Sequence, residues 1–224
     1  LGVHTEFVGC LGDDEFGKEF INLFRDLGVN IQSTQVDKNC STRIIKVCIN
    51  DEGDRSFAGF VNSQKIFADE MLDRKVFERS EISLQTLFKE AKYFITGTNL
   101  LASNKSSEAL LFLVEYASKS GVSIVIDANW REIFWDKFDK SSQIQKQDHI
   151  QKIKKFLLNG DILKLSNEEA ILFFGNNNPL LISQSLSKKP DVIITNGDKP
   201  ISWFINGFQD LSLIHISEPT RLRR

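Results

Sequence analysis

Residues 123–131, SIVIDANWR, run from an apolar strand into Asp127, Asn129 and Arg131, and the same plan recurs along the chain. VHTEFVGCLGDDEFG (3–17) passes from a strand through a Gly- and Asp-rich turn into a helix, and KYFITGTNLLA (92–102) leaves its strand at Thr96, Gly97, Thr98 and Asn99. ILKLSNEEAILFFG (162–175) goes from strand to helix through Ser166, and VIITNGDKPISWF (192–204) turns at Asn196 and Gly197 into a second strand. Strands alternating with amphipathic helices predict an α/β domain with a mostly parallel sheet and helices on both faces. In such sheets ligands sit at the carboxyl ends of the strands. One Asp and one Asn there also suit a turn, and an Arg suits solvent; the repetition of the plan favours a site.

Between the first two of these stretches the pattern changes. After a helix over 14–26 and a break at Gly28, the segments 31–36, 42–50 and 55–62 alternate apolar and polar residues, and NDEG (50–53) is a turn joining the last two into a hairpin. A small sheet of this kind acts as a lid or is an ordinary edge hairpin; a lid excludes water from a transfer reaction. The Gln- and Lys-rich stretch 141–156 predicts a helix with Ile144, Ile150, Ile153 and Phe156 inward. Trp130, Phe134 and Trp135 are expected in the core, Asp13 or Asp14 as a helix N-cap, and Gly17 at a close helix contact.

VGCLGDDEFG followed by DLGVN, then IDANWR, ILKLSNEEA and IITNGDK, in this order over residues 1 to about 208, resemble the pfkB (ribokinase-like) carbohydrate kinases, nearest the fructokinase-like branch. The resemblance implies a ribokinase-like fold for residues 1–210, with the lid at about 31–62 covering the sugar and joining a homodimer. The chain begins at Leu1 inside the family's first signature, so the fold is expected to be truncated, without its first strand and Gly-Gly-Asn turn. LSLIHISEPTR (211–221) matches no family element and reads as a translated sequencing adapter, so 211–224 is expected to be a non-native tail; the other reading is a real apolar strand with a basic end. The family's Gly-Ala-Gly-Asp motif, with its catalytic Asp, then falls outside the chain. No catalytic residue is expected within it, and the 224-residue chain alone is expected to be inactive.

The activity implied is phosphorylation of a sugar hydroxyl by ATP with magnesium, fructose leading as acceptor. Such transfer needs a bound hydroxyl, charge on the transferred phosphate and a metal bridging phosphates. Asp127, Asn129 and Arg131 are the substrate-binding candidates, Arg131 because its planar fork suits a phosphate. The resemblance places nucleotide phosphates at Thr195 and Gly197, with Lys164 from the neighbouring strand end, and magnesium near Glu169. Pro200 stands where the family has Gly, which puts contacts beyond Lys199 in doubt. Ser166 and Glu169 are also a capping box that needs no ligand. A non-catalytic fructokinase-like partner in a larger assembly is the alternative function.

Composition limits other classes. Taking away Arg221, Arg223, Arg224 and Glu218 with the tail changes the net charge from −2 to −4, so nothing favours nucleic acid or an anionic membrane. Cys10, Cys40 and Cys48 have no metal-ligand spacing and suggest a reducing compartment, cytoplasmic or plastid. His4, His149 and His215 form no site, and the lack of G-x-G-x-x-G after a strand disfavours a nicotinamide enzyme.

Overall fold

The computed structural model describes residues 2–50, 55–61, 65–79, 81–135 and 143–212. The rest of the expected hairpin turn after Asn50, Asn62, and residues 213–224 with His215 and most of the suspected tail lie outside the described residues. The chain divides into two compact units, Leu1–Leu84 with Leu100–Leu113 and Arg131–Ser141, and Gln85–Asn99 with Val114–Trp130 and Ser142–Arg224.

In the first unit β1 (Gly9–Gly12) leads into α1 (Glu15–Asp26). The turn forms because Asp14 is the N-cap: its Oδ1 accepts the Gly17 amide at 2.8 Å, and its Oδ2 accepts the Thr42 amide at 2.7 Å. Gly17 is required by contact, since a Cβ there would stand 2.0 Å from the Gly12 carbonyl oxygen. β2 (Thr34–Asp37) pairs parallel with β1. β3 (Ile45–Ile49) and β4 (Arg55–Phe60) form a separate antiparallel hairpin. Of the three alternating segments, therefore, only two make the small sheet: the first lies beside β1, which offers it a buried apolar strand. Phe67, Leu72, Leu101, Leu110 and Phe134 are buried in this unit. α2 (Arg74–Arg79) follows, and α3 (Glu81–Glu90) and α4 (Asn104–Lys119) have residues in both units.

The second unit is organised on a six-stranded sheet in the order β10-β9-β8-β7-β6-β5. β5 (Tyr93–Thr96), β6 (Ser123–Asp127), β7 (Ile162–Ser166) and β8 (Asp191–Asn196) are parallel; β9 (Lys199–Ile205) and β10 (Phe208–Ser212) continue as an antiparallel meander. Along β6 to β8 burial alternates, with Ile124, Ile126, Leu163, Leu165, Val192 and Ile194 on the fully buried face. Leu211 and Ser212 belong to β10, opposite Ser202 and Ile201. The crossovers carry α5 (Gln143–Leu157), α6 (Asn167–Phe174) and α7 (Pro179–Ser185). In α5, Ile153 and Phe156 are buried as the periodicity predicts, Ile150 is half-buried, and the Ile144 side chain lies outside the described set. Phe134 is a core residue, whereas Trp130 and Trp135 are only half-buried.

Candidate active site

Because β5 to β8 run parallel, their carboxyl ends fall along one edge of the sheet. Thr96 pairs with Ile126 one residue before Asp127, Asp127 with Lys164, and Ser166 with Thr195, so the predicted residues of the second unit share that edge. Lys164 and Asp127 form an ion pair at 2.8 Å, each about half exposed. Thr195 donates to the Leu165 carbonyl at 3.4 Å. Gly197 has φ +57, and nothing lies within 4 Å of where its Cβ would be, so the backbone there is open to a close approach.

The segment after β6 is held at three points. The Ala128 amide donates to the Lys164 carbonyl at 2.9 Å, and the Ala128 carbonyl accepts the Thr98 hydroxyl. The Trp130 amide donates to Glu169 Oε1. Between these anchors Asn129 adopts φ +43, a left-handed conformation that Asn tolerates better than most residues and that tends to occur at functional sites. The backbone of Asn129 is thus anchored on both sides.

Glu169 is 6% exposed and has two structural tasks. Its Oε2 accepts the Ser166 amide at 2.8 Å while the Glu169 amide donates to Ser166 Oγ at 3.2 Å, the reciprocal capping box. Its Oε1 takes the Trp130 amide, which ties the start of α6 to the segment after β6. Each carboxylate oxygen of Glu169 thus accepts one backbone amide. Among the described residues no group of three or more His, Cys, Asp or Glu is placed to hold a metal ion.

Arg131 falls in the first unit, where its guanidinium carbon lies 5.2 Å from the centre of the Phe57 ring of β4. A second guanidinium there escaped the sequence reading. Arg43, with 7% of its side chain exposed, lies over Phe60, Phe67 and Phe134 at 5.0, 4.5 and 4.7 Å and is paired with Asp69 at 3.0 Å and Glu70 at 2.8 Å. Burial pushes the Asp69 carboxyl above the ordinary carboxylate range, with the Arg43 charge opposing. Its partners come from separate stretches of chain, so no local pattern reveals the cluster. Thr98, fully buried, was visible only as part of a polar strand end.

This sheet of parallel strands continued by an antiparallel meander is that of the ribokinase-like α/β proteins, and comparison gives the family. The chain belongs to the pfkB family of carbohydrate kinases, whose profile matches residues 1–217. It is 27% identical to a probable fructokinase-5 of Arabidopsis thaliana over 93% of its length and 28% identical to fructokinase-2 of Zea mays over 93%. It spans 60% and 58% of those two relatives. A crystal structure of fructokinase from Xylella fastidiosa superposes with a TM-score of 0.76 at 22% identity, covering 94% of this chain and 61% of that one. A putative ribokinase II from E. coli gives 0.77 at 22% identity, covering 97% and 65%.

Proposed function

We propose that the protein phosphorylates a sugar hydroxyl with ATP and magnesium, with fructose as the leading acceptor. The observation that carries the reading is the family match over residues 1–217 together with fructokinases among the relatives. An ATP-bound form of the Xylella fastidiosa fructokinase, which has the same fold, supports ATP as the donor. In this reading Asp127 and Asn129 take sugar hydroxyls, Asn129 from its fixed left-handed backbone. Arg131 supplies charge and a planar donor pair to the transferred phosphate. Lys164, Thr195 and the open backbone at Gly197 meet nucleotide phosphates, and Lys164 exchanges its Asp127 partner for phosphate. Magnesium typically takes its ligands from phosphates and water with only one or two carboxylates; Glu169, with both oxygens engaged, acts on it through water. The exposed Val47, Ile49, Phe57 and Val61 on the β3–β4 hairpin support a lid that also makes a homodimer contact. A chloroplastic fructokinase-6 among the relatives is compatible with either a plastid or a cytoplasmic home. ADP release by the full-length protein with fructose, ATP and magnesium tests the activity, and no release above an enzyme-free control with fructose or related sugars refutes it.

A further inference from the structure

Phe57 and Phe60 are three residues apart in β4, and in an uninterrupted strand residues three apart point to opposite faces. Here the register passes from Ile45 opposite Phe60 to Val47 opposite Phe57, so Ala58 and Gly59 together stand against Lys46. Gly59 has φ +102, a conformation that a residue with a Cβ rarely adopts. A bulge of this kind re-aims the side chains on either side of it. The result is that both rings meet one short turn, residues 131–134. Phe60 lies edge-on to Phe134 at 6.2 Å and beneath Arg43 at 5.0 Å, and Phe57 lies 5.2 Å from the Arg131 guanidinium. Arg43 is itself fixed by Asp69 and Glu70. Phe60 therefore anchors the hairpin on a buried ion cluster, and the bulge sets where Phe57 falls relative to that anchor.

We infer that Phe57 is a positioning residue for Arg131, its ring fixing the plane of the guanidinium, and that the Gly59 bulge is what brings it there. The catalytic consequence rests on the sugar-kinase reading; the stacking does not. A guanidinium binds an oxyanion through two parallel donors only when its plane faces the oxyanion. A ring against the guanidinium limits that plane without using any of the donors, and the hairpin thereby influences the phosphate-binding group.

The stacking is tested by phenylglyoxal modification of arginine, followed residue by residue by peptide mass spectrometry, in the wild-type protein and in Phe57→Ala, Phe57→Tyr and Gly59→Ala. A guanidinium–ring contact at a partly exposed site changes populations by about two- to fivefold. Arg131 is expected to react faster by about that factor in Phe57→Ala and in Gly59→Ala and at the wild-type rate in Phe57→Tyr, with the exposed Arg25 unchanged throughout as a control for folding. Equal Arg131 rates in Phe57→Ala and wild type overturn the inference, and that comparison stands even where Gly59→Ala fails to fold. In the full-length protein Phe57→Ala is expected to lower kcat by the same factor, with KM for ATP unchanged and activity restored by Phe57→Tyr. An inactive wild type refutes the kinase reading and leaves the modification result to decide the stacking. An active wild type whose kcat is unmoved in Phe57→Ala refutes the positioning role.

Discussion

Replacing Glu169 with Gln tests whether one carboxylate holds two separate pieces of backbone. The side chain keeps its size but retains only one acceptor oxygen, so either the Ser166 amide or the Trp130 amide must face an NH2 group. A hydrogen bond to a charged acceptor contributes about 1.5–3 kcal/mol, and a buried donor left unmatched costs about 1–3 kcal/mol. Removal of a buried charge returns part of this, so a net loss of roughly 2–4 kcal/mol is expected. Ser166→Ala removes only the cap, for about 1 kcal/mol. Urea unfolding followed by tryptophan fluorescence compares the two variants. The reasoning fails if Glu169→Gln is no less stable than Ser166→Ala, because the carboxylate would then be supporting one amide and not two. Magnesium titration of the full-length variant adds a second readout: a normal titration beside lowered stability leaves backbone support as the whole role of Glu169.

Arg131→Ala in the full-length protein is expected to lower turnover by roughly a hundredfold with little change in stability, the effect of removing an electrostatic stabiliser from a transferred phosphate; unchanged ADP release in a coupled assay refutes the assignment. Gly17→Ala is expected to destabilise by about 2 kcal/mol through overpacking, although Ala is the better helix former, because the new Cβ meets a backbone oxygen at 2.0 Å; a gain in the urea midpoint contradicts this. Burial, with the Asp37 charge next, pushes the Cys10 thiol up to about 11 from 9.0. Iodoacetamide at pH 8 is therefore expected to label the exposed Cys48 and spare Cys10. The folded chain holds the Cys10 proton more tightly than the unfolded chain does, so its contribution to stability is whole below about pH 9 and is lost as pH rises towards 11. Loss of stability confined to lower pH in a Cys10→Ala comparison refutes that account. The full-length protein is expected to be a dimer through the β3–β4 hairpin, and monomeric light scattering at micromolar concentration refutes it.

The parts legible in the sequence were those whose signal is local. Asp14 capping α1, Gly17 against Gly12, and Ser166 with Glu169 each depend on residues within a few positions of one another, as does the alternation of Leu163 and Leu165. The partner of β2 was not legible, because alternating residues show that a strand has two faces but not which neighbour it joins. The second task of Glu169 was hidden for a similar reason. Trp130 is 39 residues away and contributes an amide, which every residue but Pro has. Arg43 falls in the alternating stretch 42–50 with nothing local to single it out, and only the fold assembles its three rings and two acids.

The six-stranded sheet joins two kinds of connection, and they differ in how fast they can form. β8, β9 and β10 are linked by tight turns, so their pairing closes short loops and can proceed on the microsecond scale of hairpins. Each parallel pair among β5 to β8 needs a helix-bearing crossover first, and its chain entropy is lost before any pairing compensates for it. During synthesis the order is reversed: the slow parallel strands emerge first and the fast meander last. β8 is the strand that belongs to both, so its arrival joins the readily formed edge of the sheet to the strands made before it.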